Sequence, residues 1–188
     1  MDINKVSVED SSIGGKFVGN NDNSNTFNNF YQSSNYLEEL YNKFQEEKLN
    51  NPDLAEFCEE LDYYNSKIEG DVLGLEEKLT QGNRERMIFF AKSAKEKFHK
   101  KLIKTSQYSQ IAQDINISIL AKVKTGFMME VYTLICNDAP QETIDRLITE
   151  RIIKPVKEEL GKNLFRYDEE DIMGMIFFLT GNCHIKWN

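Results

Sequence analysis

The sequence is short of the residues that build disulfide frameworks, metal sites and membrane spans. Only two histidines (His99 and His184) and three cysteines (Cys58, Cys136 and Cys183) occur among the 188 residues. An odd number of widely spaced cysteines without a CxxC pair is typical of a reducing compartment. No apolar run approaches the roughly 18 residues of a membrane-spanning helix, and the N-terminus carries no apolar stretch of a secretory signal. These absences predict a cytoplasmic protein with no membrane segment.

Catalytic and phosphate-binding motifs are also absent. The chain contains no GxxxxGK[ST] loop, no GxGxxG turn, no HExxH and no GxSxG. With thirty-one acidic residues, carboxylate pairs are expected at any spacing, so they indicate solvated helix faces. The net charge of -8 argues against a general polyanion binder, because phosphates need a basic surface. We therefore expect no enzyme activity, no cofactor, no metal, and only weak or indirect contact with nucleic acid.

Residues 1–34 differ in composition from the rest of the chain. Glycine and asparagine dominate residues 14–30, with single apolar residues between them. Both residue types tolerate left-handed backbone angles, which predicts tight turns joined by very short extended pieces. Two outcomes stay open, a flexible tail or strands ordered by a partner or by a second copy. We predict two parts, this Gly/Asn-rich segment (1–34) and a helical domain (35–188).

The helical domain begins with apolar residues at the three- and four-residue spacing of amphipathic helices. The first stripe is Tyr36, Leu37, Leu40, Tyr41 and Phe44. A second helix is expected to start at Pro52 with Asn51 as its N-cap. A short third helix is predicted over about 71–79. The turn at Gly82-Asn83 then precedes a fourth helix, whose stripe is Met87, Phe90, Ala94, Phe98 and Leu102.

Three further helices follow. The fifth has one apolar face made of Ile115, Ile119, Val123, Phe127, Val131 and Leu134. The sixth is expected to end before Pro155 or to kink there, because proline does not continue a regular helix. Asp168 and Asp171 predict the N-terminal cap of the last helix, which stops at Gly181. The fold class expected is a mainly α multi-helix bundle with an irregular or short-strand N-terminal segment.

The fourth helix carries an unusual concentration of positive charge. Between positions 84 and 104 there are eight basic residues against only Glu85 and Glu96. The predicted basic face consists of Arg84, Arg86, Lys92, Lys95, Lys97, Lys100, Lys101 and Lys104. Three interpretations remain open: a solvated face opposite the apolar stripe, a docking surface for an acidic protein, or contact with a nucleic-acid backbone.

The C-terminus contains the chain's only candidate for nucleophilic chemistry. Cys183 directly precedes His184, and a Cys-His pair can form a reactive thiolate. Adjacent side chains rarely point at each other, however, and no third group is available to orient the histidine. Structural roles just past a helix end explain both residues more simply. Trp187, the only tryptophan, is expected to fold back onto the core or into an interface.

The same region resembles a known family. Residues 178–187 read Phe-Leu-Thr-Gly-Asn-Cys-His-Ile-Lys-Trp, which is similar to the ending of the C-terminal domains of bacterial ABC-three-component conflict systems. The segments 152–155 and 167–177 add to the likeness, which covers roughly residues 35–188 and is specific over the last twenty or so. The resemblance implies a helix-rich domain in which the motif residues are structural or docking elements. These are Thr180, Gly181, Asn182, Cys183, His184 and Trp187.

The resemblance also implies partners. Such systems combine an SMC-like ABC ATPase, a small middle component and this domain, in defence against phages or plasmids. The domain is usually attached to an N-terminal nuclease or protease, for which residues 1–34 are too short. We therefore expect an adaptor that couples the ATPase to a separate effector. The alternatives are a cysteine-dependent hydrolase using Cys183 and His184, and a self-assembling structural protein; a homo-oligomer is compatible with each.

Overall fold

The computed structural model describes residues 36–47, 58–68 and 73–188. These residues form a bundle of seven helices and contain no strand, which confirms the predicted fold class for this part of the chain. The predicted segment 1–34 and its boundary lie outside the described residues. The predicted helix start at Asn51 and Pro52 lies outside them as well.

The first four helices occupy the N-terminal half. Helix α1 spans 36–47, α2 spans Glu59–Asn65, α3 spans Leu75–Gln81 and α4 spans Ile88–Ser106 after a 3-10 turn at Glu85–Met87. Helix α3 starts later than the predicted position 71, because Gly74 has extended backbone angles (φ -70°, ψ 177°) and forms its N-cap. Three residues of the apolar stripe predicted for α4 are buried, namely Ala94, Phe98 and Leu102. Met87 is only partly buried and Phe90 is exposed, whereas Ala91, which was not predicted, is buried.

Helices α5 and α6 each contain a π-helical segment. Helix α5 runs through Gln110–Gly126, a π segment at Phe127–Val131 and Tyr132–Cys136. Helix α6 runs through Gln141–Leu147, a π segment at Ile148–Ile153 and Lys154–Glu159. Of the two alternatives for this helix, an end before Pro155 or a kink there, the first is wrong, because the helix continues through Pro155 to Glu159. A π segment widens the turn that precedes the proline, and this relieves the clash between its ring and the preceding carbonyls.

Helix α7 (Glu169–Gly181) is the central element of the bundle, and ten of its thirteen residues are buried. It crosses α4 closely at Gly174, which lies against the backbone of Ala94 and the side chain of Phe98. The predicted cap at its N-terminus is confirmed. The Asp168 carboxylate accepts from the Asp171 N–H, and the Asp171 carboxylate accepts from the Asp168 N–H, both at 2.9 Å.

A buried polar network fixes α5 against α4 and against the loop before α7. The Tyr167 hydroxyl donates to Asn116 Oδ1 at 2.6 Å, and the Asn116 amide donates to the hydroxyls of Ser106 and Thr105 at 3.0 and 3.1 Å. Burial raises the pKa of Tyr167, so the phenol keeps its proton. Because these buried polar groups bond to one another, the hydrogen bonds offset the cost of removing the groups from water.

Candidate functional site

Trp187 lies in the core at the C-terminal end of α7. Only 2% of the residue is exposed, and its ring stacks on Phe177 with 6.5 Å between centroids. The edge of the Phe127 ring contacts it at 5.1 Å, and the Arg84 guanidinium lies 5.3 Å from its centroid. Aromatic pairs and a buried cation–π contact each stabilise by about 0.5–2 kcal/mol. The C-terminal segment is thereby held on α5, on α7 and on the turn that precedes α4.

Thr180 connects Trp187 to the helix end. Its hydroxyl accepts from the Trp187 indole N–H at 3.0 Å and donates to the Ile176 carbonyl at 2.8 Å. The ammonium group of the buried Lys78 donates to the Thr180 carbonyl at 2.8 Å. A positive charge is favourable here because the last carbonyls of a helix carry partial negative charge. Asn182 extends the network to α2 by donating to the Tyr64 carbonyl at 2.8 Å.

Cys183 occupies the left-handed position of a Schellman motif that ends α7. Its φ is 66°, and the N–H groups of Cys183 and His184 bond back to the carbonyls of Thr180 and Leu179 at 3.2 and 2.8 Å. Glycine is the usual residue at this position, because a side chain there costs about 1–2 kcal/mol. The absence of a side chain at Gly181 leaves room for the side chain of Lys95 to pass over the end of the helix.

His184 packs between two tyrosines of α2. The residue is 6% exposed, and its ring lies 4.8 Å from the Tyr63 ring and 5.4 Å from the Tyr64 ring. Burial lowers the pKa of His184, and the nearby Lys124 ammonium lowers it further, against the opposing effect of nearby backbone carbonyls. The imidazole is therefore neutral near pH 7. Lys124 itself donates to the Tyr63 hydroxyl at 2.9 Å.

Cys183 and His184 contact different neighbours. The Cys183 thiol lies 4.0 Å from the Leu73 carbonyl oxygen, whereas the His184 ring is enclosed by Tyr63 and Tyr64. A thiolate nucleophile needs the histidine to accept the thiol proton and a third group to orient the ring. The geometry supplies a helix terminus and an aromatic cluster, and this arrangement favours the structural interpretation of the pair.

Arg84 does not lie on the predicted basic face. It is 3% exposed, forms an ion pair with Asp145 of α6 and donates to the Gln141 carbonyl at 3.4 Å. Together with its position against the Trp187 ring, these contacts join the C-terminal segment to α6. The cost of burying this cation is offset by a half-exposed carboxylate that lies 61 positions away in the sequence.

Lys97 and Lys101 face the N-terminus of α7. Lys97 donates to Asp168 at 2.9 Å and to Glu170 at 2.5 Å, and these hydrogen bonds raise its pKa. Lys101 forms an ion pair with the fully buried Asp171. Burial alone would raise the pKa of Asp168, but hydrogen bonds from Lys97 and from Asp171 lower it to about 2. Both lysines are thus part of the α4–α7 contact.

The remaining members of the predicted basic face are more exposed. Lys92 pairs with Glu76 at 2.6 Å and Lys100 pairs with Glu96 at 3.1 Å, both in solvent. Within the described part of the chain, Arg86 and Lys104 make no ion pair. Lys95 is half-buried, and its pKa is lowered by burial and by the neighbouring Lys67. Of the predicted basic face, only Arg86, Lys92, Lys100 and Lys104 are therefore outward-facing cations.

Sequence reasoning missed Lys78 as a member of the C-terminal network. Leu75, Lys78 and Leu79 lie at the three- and four-residue spacing of one helix face, and all three are buried. A lysine in such an apolar stripe signals an ammonium group with an internal acceptor, because an unpaired buried charge is very costly. No local sequence pattern around Asp145 indicates that it pairs with Arg84.

A cleft of about 390 Å³ opens beside Trp187, between the turn before α4 and the turn that joins α5 to α6. Its walls include Arg84, Cys136 and Asp138, but the Arg84 cation is already paired with Asp145. The described residues contain no group of three or more His, Cys, Asp or Glu side chains that could hold a metal ion. None of the helices that the structure describes is both long and apolar enough to cross a membrane.

Comparison with known proteins identifies the family of the C-terminal part of the chain. Residues 74–187 match the family described as C-terminal domain 9 of the ABC-three component (ABC-3C) systems. The match spans α3 to α7 and includes Trp187 with its contacts Arg84, Phe127, Phe177 and Thr180, whereas α2 lies outside it. No curated protein and no solved structure matches the chain.

Proposed function

We propose that this chain, which belongs to the family of C-terminal domain 9 of the ABC-three-component systems, is a non-catalytic adaptor. In this proposal it acts in the bacterial cytoplasm, in a complex that defends against phages or plasmids. It couples an SMC-like ABC ATPase to an effector protein through protein–protein contacts. Residues 1–34 form a separate segment that assists assembly. Family membership supports a role among the components of such a system.

The observation that carries the proposal is that the motif residues are used in packing. The side chains of Thr180, Asn182 and Trp187 form hydrogen bonds inside the bundle, and His184 is enclosed by aromatic rings. The contacts of these residues hold α2, α3, α5 and α7 in one arrangement. Because the polar side chains of the motif are used inside the bundle, the outer surface is left for contacts with other molecules. We therefore assign protein binding to that surface.

The test is co-purification of the tagged full chain with the products of its neighbouring genes, expressed together. Recovered proteins are identified by mass spectrometry in the presence and absence of ATP. We expect stoichiometric recovery of a large ATPase. Measurement of the mass of the chain alone, over a range of concentrations, shows whether it also forms a homo-oligomer. Recovery of the chain by itself under both nucleotide conditions would contradict the adaptor function.

The hydrolase alternative is tested by Cys183→Asn. Asparagine tolerates the left-handed backbone of position 183, so the variant removes the thiol without adding strain. We expect this variant to protect cells against phage or plasmid as well as the wild-type chain does. Loss of protection by a variant that unfolds at the wild-type temperature would instead assign the activity to the thiol.

A further inference from the structure

Helix α4 has an outer ridge on the side opposite its buried stripe. The ridge residues follow one another at spacings of three or four, the spacing of a single helix face. They are Phe89, Lys92, Glu96, Lys100 and Ile103. The two apolar members stand at its ends, and fourteen residues of helix place them about 21 Å apart. This length corresponds to about four turns of a helix lying alongside.

Phe89 is the most exposed large apolar residue in the described part of the chain, at 87%, and Ile103 is 37% exposed. The neighbouring Phe90 differs, because its ring packs against Phe177 with 5.9 Å between centroids. A phenylalanine that stands in water on a regular helix contributes nothing to the bundle. Covering it with an apolar surface of a partner would be favourable, because burial removes its ring from water. The ends of the outer ridge are therefore suited to act as anchors.

The charges around the outer ridge favour an acidic partner. Arg86 precedes Phe89 by three residues and Lys104 follows Ile103, and neither forms an ion pair with a described residue. The ion pairs of Lys92 and Lys100 lie in solvent, where such pairs are weak and exchange readily. Glu76, Glu85 and Glu96 offset this charge in part. The outward basic groups exceed the acidic ones on a chain whose net charge is -8.

The same charges argue against a nucleic-acid backbone as the occupant. Arg84, Lys97 and Lys101 are neutralised by carboxylates of α6 and α7. Among the exposed cations of this region, Arg86 and Lys104 have no ion pair with a described residue, and they lie at opposite ends of α4 and its preceding turn. Binding to a nucleic acid draws its affinity from several phosphate contacts. An apolar anchor at each end with weakly paired lysines between them suits a protein helix better.

We propose that the outer ridge of α4 docks an acidic amphipathic helix of a partner protein. This inference rests on the proposed adaptor function and assigns its contact surface. The partner helix presents two apolar side chains about four turns apart, which cover Phe89 and Ile103. Carboxylates between and beside them face Lys92, Lys100 and the flanking Arg86 and Lys104. Opposite charges along the seam set the register, and the two anchors supply affinity.

The experiment compares full-length variants in co-purification with the ATPase and effector encoded beside the chain. The test variant is the double substitution Phe89→Ser with Ile103→Ser. The control is Met129→Ser, which removes another exposed apolar side chain (74% exposed) from α5. We expect the control to bind as the wild type does. The ridge variant should bind at least tenfold more weakly, as the loss of anchor residues does in other interfaces.

Cross-linking identifies the occupant. A photoreactive p-benzoyl-phenylalanine placed at position 89 should cross-link to a peptide rich in Asp and Glu from the ATPase or the effector. Equal binding by the wild-type chain and the ridge variant overturns the assignment of the outer ridge as the docking surface but does not contradict the adaptor function. Failure of the wild-type chain to bind either component overturns both. A cross-link to a second copy of this chain, or binding abolished by nuclease, also overturns the proposal that the ridge docks an acidic helix of a partner protein.

Discussion

Replacing Gly174 with alanine tests the close crossing of α4 and α7. A Cβ atom at this position would lie 2.8 Å from the Phe98 Cβ and 3.0 Å from the Ala94 carbonyl carbon, and closer still to the Ala94 oxygen. These atoms belong to the backbone or adjoin it, so no rotamer change relieves the overlap. The two helices would have to move apart, and the close packing of the buried residues around the crossing opposes this movement.

The magnitude follows from two opposing effects. Overpacking of a core costs about 1–3 kcal/mol, and a clash with backbone belongs at the upper end of that range. Alanine gains about 1 kcal/mol over glycine in helix propensity. The expected net loss of unfolding free energy is about 2 kcal/mol. For a chain of this size that loss corresponds to a fall of about 4–8 °C in melting temperature.

Gly126→Ala is the matched control. Its Cβ atom would lie 3.5 Å from Ile152 Cγ1, which is ordinary van der Waals contact, so only the gain in helix propensity remains. We expect this variant to be about 0.5–1 kcal/mol more stable than the wild type. Urea unfolding followed by circular dichroism measures all three chains. A Gly174→Ala variant as stable as the wild type, or as Gly126→Ala, would refute the close crossing.

Two further predictions concern the C-terminal network. Thr180→Val removes the acceptor of the buried Trp187 indole N–H and should lower the unfolding free energy by about 1–3 kcal/mol. Thr180→Ser should lower it less, because serine keeps the hydroxyl. Equal losses of unfolding free energy in urea titrations of the two variants would show that the hydrogen bond is unimportant. The folded-state pKa of His184 is lowered, so the unfolded chain binds its proton first and stability falls as pH drops below about 6.5. His184→Gln should show a smaller fall between pH 7 and pH 5, and parallel curves would contradict the assignment.

The two π-helical segments were not predicted, although the sequence carries a signal for them. Buried residues recur at a strict spacing of four in both helices: Ile115, Ile119, Val123, Phe127 and Val131 in α5, and Ile144, Ile148, Ile152, Val156 and Leu160 at and after α6. Four residues of a regular α-helix turn by about 40° more than one revolution. Five such positions would drift far around the helix. A π segment slows the rotation and keeps them facing the core.

Features that depend on local chemistry were predicted best. The cap formed by Asp168 and Asp171 is confirmed, because both halves of a capping box lie within four residues. The rule for Pro155 is equally local but assumes a regular helix before the proline, and the π segment at Ile148–Ile153 breaks that assumption. Apolar periodicity predicted the number and order of the helices, since tertiary burial follows the same stripes.

The candidate site was harder to predict, because its groups come together from distant parts of the chain. The positive charges of positions 84–104 are close together in sequence, whereas their partners Asp145, Asp168 and Asp171 are 61 to 71 residues away. No spacing rule shows such pairs. The predicted family is confirmed by the match over residues 74–187. The division at residue 34 stays a prediction.

The burial of Trp187 gives the chain its own optical reporter. A single indole, enclosed by Phe127 and Phe177 and bonded to Thr180, emits at short wavelength while the C-terminal segment is seated. Water reaching the ring would shift that emission to the red. Because the ring also contacts Arg84, whose partner Asp145 belongs to α6, the emission is sensitive to displacement of α6 as well as to unfolding. Binding of an ATPase or effector that reshapes this end of the bundle would therefore be visible in unlabelled protein.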